Sequence, residues 1–478
     1  MSEYRNILSP FNPWWEEPSR TLSNLPSFQR PIFSTVYDDL KNLPQMISIT
    51  GPRRTGKSTL LYQLIRRLIA DGVAPKKLIY YSFDDPSLLT RRIRVDEFFE
   101  QMMKTALQQK DAGATFLFLD EIQRLERWEL YLKKYYDLKY PIKMVISGSA
   151  SSPIFKKSRE SLLGRVKDIH LLPFSFREFV LFTLNDQPSL RSEVNSIYEN
   201  GRTAQGMFTG DPSISADTVA LPEVSVALRS YLDAQLRKFL LEGGFPEVWG
   251  LPNWVAKQEY LFDNQVKKVI YEDLILAAEF RKPELLKRFY ISLLEIPGRE
   301  ISIQSVADET EVSSRQIEKY LPLLEMTDLV YRLPKFRTRP LRVRKGMMKF
   351  YLVDLALRNA VLRLTETLLT DETMMGLYAE NLVFLALRKW RRMIQMDYYR
   401  ERHGEVDFVV HVGPKRFLPV EVKFRNEIKY QDFEGLRRFV HKINHSVQPL
   451  MITKQWKDFG NRENAFLLPL PLFLLLFD

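Results

Sequence analysis

The sequence predicts an α/β protein that begins with a parallel sheet covered by helices on both faces and continues into helical and smaller mixed modules. Three observations lead there. Gly51-Pro52-Arg53-Arg54-Thr55-Gly56-Lys57-Ser58 lies between an apolar run at 46–50 and helical apolar spacing at 59–65. Apolar runs at 46–50, 78–83, 115–119, 143–147 and 168–172 alternate with helical segments, which is the pattern of strands buried on both sides. Beyond about residue 180 the spacing turns mainly helical, and strand-like runs return near the C-terminus.

Composition narrows the class. A length of 478 residues exceeds one ordinary core and suggests about three domains. Hydrophobic residues at 45% and charged residues at 27% are the profile of a soluble globular chain. The absence of cysteine rules out disulfides and thiolate metal sites and fits a reducing interior. The five histidines, at 170, 403, 411, 441 and 445, show no metal-ligand spacing, which argues against a zinc enzyme. A net charge of +11 favours an acidic partner, nucleic acid first, over a basic surface kept for solubility. Residues 1–30 read as an irregular Pro- and Trp-containing arm with no signal peptide, and a cytoplasmic location is expected. The longest apolar tract, 466–477, is interrupted by Pro469 and Pro471 and is too short for a membrane span. It is predicted to be a terminal buried strand; the alternative is a membrane-associating or partner-binding tail.

The first motif reads G-x-x-x-x-G-K-S, a phosphate-binding loop between strand and helix. Its glycines let the amides turn inward, and the following helix adds its positive end. Lys57 is expected to reach the β- and γ-phosphates of ATP and Ser58 to hold Mg²⁺, with Gly51 through Thr59 as the nucleotide-binding stretch. Asp120-Glu121 ends the third apolar run. Asp120 is expected to hold Mg²⁺ through water, and Glu121 to polarise the attacking water. Ser147, in Ser147-Gly148-Ser149 at the end of the fourth run, is a candidate contact to the γ-phosphate; the alternative is a plain Gly/Ser turn. Arg165, before the fifth run, is a candidate phosphate contact in cis or a finger in trans; the alternative is a surface arginine.

These motifs, with Leu172-Pro173-Phe174-Ser175-Phe176-Arg177-Glu178-Phe179, Asp84-Asp85-Pro86 and Gly243-Gly244-Phe245-Pro246, resemble the archaeal and bacterial AAA+-type ATPases of the STAND-like branch, through about residue 360. The resemblance implies an ATPase core, a small helical lid and a winged helix, often followed by a domain related to PD-(D/E)XK nucleases. The expected layout is an arm at 1–30, a P-loop core at 31–180, a helical lid at 181–280, a winged helix at 281–360 and a nuclease-like domain at 361–478.

Within the lid, a polar loop is expected at about 200–222, and Gly243-Gly244 reads as a hinge or a helix C-cap. In the winged-helix region, Ser313 and Gln316 offer a capping box. Ile317, Leu321 and Leu324 form a buried stripe, with Arg315 and Lys319 on the other side. Strands at 329–336 and 347–353 flank Arg337, Arg339, Arg342, Arg344 and Lys345, a basic wing suited to DNA phosphates. The alternative is a winged helix used for protein contacts.

In the last domain, an apolar helix at 377–387 precedes strands at 406–410 and 418–424, joined by Gly413-Pro414-Lys415. The spacing is D-x13-E-x-K. Period 2 puts Glu421 and Lys423 on one side of their strand, with Asp407 on the strand beside them. Asp407 and Glu421 would grip Mg²⁺, Lys423 would steady the scissile phosphate, and Glu380 would add a ligand. This resembles the PD-(D/E)XK signature. The functional expectation is a Mg²⁺-dependent ATPase that binds DNA and processes it. The alternatives are a nucleotide-gated DNA-binding regulator with an inactive nuclease-like domain, and a remodelling ATPase assembled as a homo-oligomeric ring.

Overall fold

The computed structural model describes residues 2–17, 22, 24–87, 94–107, 113–149, 162–209, 223–274, 283–295, 297–310, 312–336, 347–390, 395–402, 404–443 and 446–478. The chain divides into two compact units. One holds Met1–Leu172, Tyr271–Phe280 and Met326–Asp328; the other holds Pro173–Ile270, Arg281–Glu325 and Leu329–Asp478.

The first unit is built on strands β1 (Met46–Gly51), β2 (Leu78–Ser82), β3 (Thr115–Asp120), β4 (Ile142–Ser149) and β5 (Val166–His170). All pairings are parallel, in the order β2-β3-β4-β1-β5. Alternation along each strand sends residues to opposite faces. Ile79, Tyr81, Leu117, Leu119 and Ile146 pack with α1 (Ser2–Leu8), α4 (Val95–Leu107) and α5 (Trp128–Asp137), through Leu8, Phe98, Met102, Trp128 and Leu132. Leu78, Tyr80, Phe116, Phe118, Ile47 and Ile49 pack with α2 (Ile32–Asn42) and α3 (Lys57–Ala70), through Val36, Leu40, Leu61, Leu64 and Ile65. Both faces are therefore covered, as the apolar runs require. The fifth strand starts and ends two residues earlier than the predicted 168–172.

The N-terminal stretch is not the irregular arm predicted. It holds helix α1 and closes the free edge of β2. The Asn12 side chain imitates a peptide group of a neighbouring strand: Nδ2 donates to the Tyr80 carbonyl at 2.9 Å, and Oδ1 accepts from the Tyr80 N–H at 2.6 Å. Nδ2 also donates to the Leu8 carbonyl at 2.7 Å. The Trp14 and Trp15 indoles both donate to the Leu78 carbonyl at 2.9 Å.

The second unit opens with α6 (Phe176–Thr183), α7 (Pro188–Thr209), α8 (Val226–Glu242) and α9 (Trp254–Leu261). Helix α7 runs through the first half of the loop predicted at 200–222; residues 210–222 lie outside the described set. The glycine at 201 that suggested a loop is instead a packing requirement, because a Cβ there would stand 2.1 Å from Leu476 Cδ2. Gly243 is the C-cap of α8, with φ of 71°. At Gly244 a Cβ would meet the Phe174 carbonyl oxygen at 2.2 Å. The pair is a tightly packed cap rather than a hinge.

Next come α10 (Pro283–Glu295), β6 (Glu300–Ile301), α11 (Ile303–Thr310), α12 (Ser314–Met326), β7 (Val330–Pro334) and β8 (Met348–Leu352). The strands are antiparallel in the order β6-β8-β7. The predicted capping box forms: the Gln316 N–H donates to Ser313 Oγ at 3.3 Å, and Gln316 Oε1 accepts from the Ser313 N–H at 3.2 Å. Ile317, Leu321 and Leu324 are buried while Arg315 and Lys319 are exposed. The predicted basic wing residues, Arg337, Arg339, Arg342, Arg344 and Lys345, lie outside the described residues.

After α13 (Leu355–Leu362) and α14 (Glu372–Trp390), the last sheet contains β9 (Met396–Glu401), β10 (Gly404–Gly413), β11 (Arg416–Lys423), β12 (Leu450–Thr453), β13 (Gly460–Arg462) and β14 (Ala465–Pro469). Its order is β13-β14-β12-β11-β10-β9. β9, β10 and β11 are antiparallel neighbours, whereas β11, β12 and β14 run parallel. Helix α15 (Glu434–Lys442) links the two kinds of pairing. The terminal strand predicted at 466–477 is half strand and half helix: β14 ends at Pro469, and α16 (Leu470–Leu476) follows. Pro471 sits in the first turn of α16, where a missing N–H costs nothing. All its residues are buried, so the tract carries no periodic signal. Among the described residues, no helix is long and apolar enough to cross a membrane.

Replacing Asn12 by alanine strands the Tyr80 N–H and carbonyl at a buried sheet edge. Each unsatisfied group costs about 1–3 kcal/mol, so the variant should show a lowered denaturation midpoint. An unchanged urea midpoint would show that water satisfies this edge equally well.

Candidate functional site

The phosphate-loop motif follows directly from β1. Gly51 has φ of 148°, and a Cβ there would stand 2.1 Å from the Leu171 carbonyl oxygen. That contact is set by the Leu171 N–H, which donates to the Thr50 carbonyl at 2.7 Å. Glycine is thus a steric necessity at the point where β1 turns into the loop. Gly56, with φ of 91°, caps α3 from the left-handed region, and Arg54 has φ of 63°. The buried Lys57 ammonium donates to the carbonyls of Gly51 at 3.1 Å and Pro52 at 2.8 Å. Thr55 Oγ1 closes the loop onto the Pro52 carbonyl at 3.0 Å. Arg30, which the sequence did not single out, braces the loop from outside by donating to the carbonyls of Thr55 at 3.1 Å and Leu172 at 2.9 Å. Arg53 and Thr59 are half-buried and Ser58 is exposed.

Asp120 lies at the end of β3, beside the loop. Its carboxylate accepts from Ser58 Oγ at 2.6 Å, from Tyr80 Oη at 2.9 Å, from the Glu121 N–H at 3.1 Å and from Ser147 Oγ. The parallel register explains Ser147, which faces Ile49 one strand away. Ser147 thus contacts Asp120 at the carboxyl end of the sheet. Tyr80 was missed because nothing in the sequence marks a strand tyrosine as a carboxylate donor. Burial, then the charge of Asp120, holds its phenol far above the usual range. Glu121 takes a left-handed φ of 50° and accepts from Gln123. Burial pushes its carboxyl up, and the nearby Lys57 ammonium offsets part of that rise. The Ser58 hydroxyl and the Asp120 carboxylate side by side are a donor set that suits Mg²⁺.

Arg165 is not part of this group. Its carbonyl accepts from the Met46 N–H at 2.9 Å, at the beginning of β1, while the phosphate loop starts at the end of β1. A strand of this length separates the two by about 17 Å. Its guanidinium donates to Asp137 at 2.7 and 3.2 Å. The cis role therefore fails.

The second predicted cluster does assemble. Antiparallel register sets Phe408 opposite Val420, which puts Asp407 beside Glu421. Glu421 Oε2 accepts from the Asp407 N–H at 3.3 Å, Asp407 Oδ2 accepts from the Val422 N–H at 2.9 Å, and Lys423 bonds Glu421. Glu380 comes from α14. The residue that ties them together was missed: Lys349 on β8. Its ammonium is 3.0 Å from Glu380 Oε1, 3.1 Å from Glu405 Oε1 and 3.3 Å from Asp407 Oδ1. Tyr351 Oη also donates to Glu380 Oε1, at 2.6 Å. A lone lysine inside the apolar run Met348–Leu352 was the available signal, since a buried cation demands partners.

Burial and the adjacent Asp407 charge push the carboxyls of Glu380 and Glu421 upward. Burial opposes the Lys349 ammonium, but Tyr351, Glu380, Asp407 and Glu405 hold it well above the ordinary lysine range. In this arrangement lysines and backbone amides engage oxygens of Asp407, Glu421 and Glu380, the residues predicted to hold Mg²⁺. Among the described residues, no group of three or more His, Asp or Glu is disposed to hold a metal ion.

Comparison with known proteins fits the first site. Residues 43–180 match the AAA domain family. Residues 233–368 and 375–473 match two families described only as domains of unknown function. An uncharacterized protein of Methanocaldococcus jannaschii is 26% identical over 85% of this chain and 81% of its own. An uncharacterized protein of Haemophilus influenzae is 24% identical over 79% and 82%. A solved structure of the Aeropyrum pernix ORC1 protein in complex with DNA covers 73% of this chain and 96% of its own at 14% identity. Its TM-score of 0.29 is too low to carry an argument. The AAA match implies ATP binding, typically with Mg²⁺, and ATPase activity.

Removing the Lys57 ammonium deletes charge-assisted bonds to phosphate, each worth about 1.5–3 kcal/mol. Lys57→Ala should weaken ATP about ten- to hundredfold, read by titration calorimetry with the fold checked by circular dichroism. Unchanged affinity would remove the loop from the nucleotide site.

Proposed function

We propose that the protein is a Mg²⁺-dependent ATPase acting as a nucleotide-gated DNA-binding switch. The observation that carries the ATPase part is the convergence of Ser58, Ser147, Tyr80 and the Glu121 amide on the buried Asp120, beside the Lys57 loop. Ser58 and Asp120 would hold Mg²⁺, which would supply charge neutralisation for the phosphates; Lys57 and the loop amides would bind the β- and γ-phosphates, and Glu121 would orient water. Its raised carboxyl suits it to take a proton.

Support for DNA is of three kinds. The chain carries a net charge of +11. Residues 283–352 follow the helix, strand, helix, helix, strand, strand order of a winged helix, with Arg315 and Lys319 exposed on α12. A cleft on the last sheet is lined by Tyr399, Arg402, Arg437, Arg438, His441 and Lys442, although Glu463, Glu434 and Glu401 pair with three of these cations.

A second reading is metal-dependent DNA cleavage by the last domain. The meeting of Asp407, Glu421 and Lys423, on strands that follow the helix carrying Glu380, favours it. Incubation of labelled duplex, branched and single-stranded DNA with Mg²⁺ or Mn²⁺ decides it. Cleavage lost in Lys423→Ala would establish it, and no cleavage of any substrate would remove it.

Two outcomes are expected of the primary reading. Glu121→Gln should keep ATP affinity while turnover falls about 10²–10⁴-fold, measured by phosphate release. Its acid limb in the wild-type rate profile should lie above the usual glutamate value of about 4.3, because burial raises the pKa. Duplex DNA affinity should fall linearly in log–log form with salt and differ between ATP and ADP. Absence of binding at low salt would discard the DNA assignment and leave the ATPase.

A further inference from the structure

Lys349 does something neither reading above requires. Its side chain is 3% exposed, and its ammonium stands within 3.3 Å of three carboxylates from α14 and β10. The Tyr398 ring lies 5.6 Å away. A buried positive charge ringed by Glu380, Glu405 and Asp407 performs the electrostatic work of a divalent ion. The other oxygens of Asp407 and Glu421 are engaged as well: Asp407 Oδ2 by the Val422 amide, Glu421 Oε2 by the Asp407 amide and Glu421 Oε1 by Lys423. A metal ion added here would sit within a few ångströms of the ammonium, where the low dielectric makes like-charge repulsion severe.

We propose that Lys349 is an internal cation that closes the Asp407–Glu421–Glu380 centre to divalent metal. The lysine is delivered from a different sheet. β8 belongs to the β6-β8-β7 sheet, whereas Asp407 and Glu421 lie on β10 and β11 of the six-stranded one. The inference rests on the second reading only in treating these carboxylates as competent to hold metal, and not on any cleavage.

The test is Mn²⁺ binding to the full chain without nucleotide, followed by electron paramagnetic resonance of free Mn²⁺. Sites unrelated to this centre are subtracted with Asp407→Asn. Wild type and Lys349→Arg should bind no Asp407-dependent Mn²⁺. Lys349→Met should bind one further ion, and the Lys349→Met/Asp407→Asn double variant should lose it. Because Lys349→Met leaves buried carboxylates uncompensated, melting is recorded in EDTA and in Mn²⁺. Unfolding in EDTA with Asp407-dependent rescue by Mn²⁺ supports the proposal equally. Should that variant fold in neither, Lys349→Met/Glu380→Gln, which removes one carboxylate along with the ammonium, takes its place in the same titration. Asp407-dependent Mn²⁺ binding by wild type would overturn the closure and leave the metal centre. No Asp407-dependent binding by any Lys349 variant would overturn both. Variants that bind Mn²⁺ yet cut no DNA would uphold the closure and end the nuclease reading.

Discussion

A carboxylate held out of water needs donors on every side, and Asp120 obtains them from three strands and a helix. Tyr80 comes from β2, the Glu121 amide from the end of β3, Ser147 from β4 and Ser58 from the first turn of α3. Only a parallel sheet brings the carboxyl ends of neighbouring strands to one edge together with the helix that follows β1. The strand order is β2-β3-β4-β1-β5, and Leu171 closely approaches Gly51 at the same carboxyl edge.

The last domain solves the same problem differently. Its carboxylates are crowded by their own strand register, and hydroxyl donors would not suffice for Asp407, Glu405 and Glu380 at once. A lysine from a neighbouring sheet supplies whole charge instead of partial charge. Asp120 is surrounded by neutral donors, whereas Asp407 faces a full positive charge.

The chain revealed whatever depended on neighbours a few residues apart. The phosphate loop, the Ser313–Gln316 box and the Asp407–Glu421 hairpin pairing were all readable, because a turn, a cap and a period-2 strand are local. The 470–476 helix was not, since an apolar tract buried on every side has no period to read. Lys349 was hidden because its partners lie 31 to 58 residues away on other elements. Arg165 illustrates a missed deduction. A residue that precedes a strand parallel to β1 belongs to the sheet's amino edge, opposite the phosphates.

The side-chain amide of Asn12 and the two indoles beside it have one more consequence. A strand at the border of a sheet ordinarily offers its free peptide groups to any other chain that can align with them. Along β2 those at Leu78 and Tyr80 are already taken by the protein's own preceding segment. Growth of the sheet from molecule to molecule is barred on that side, and any assembly of copies must use surfaces other than this border.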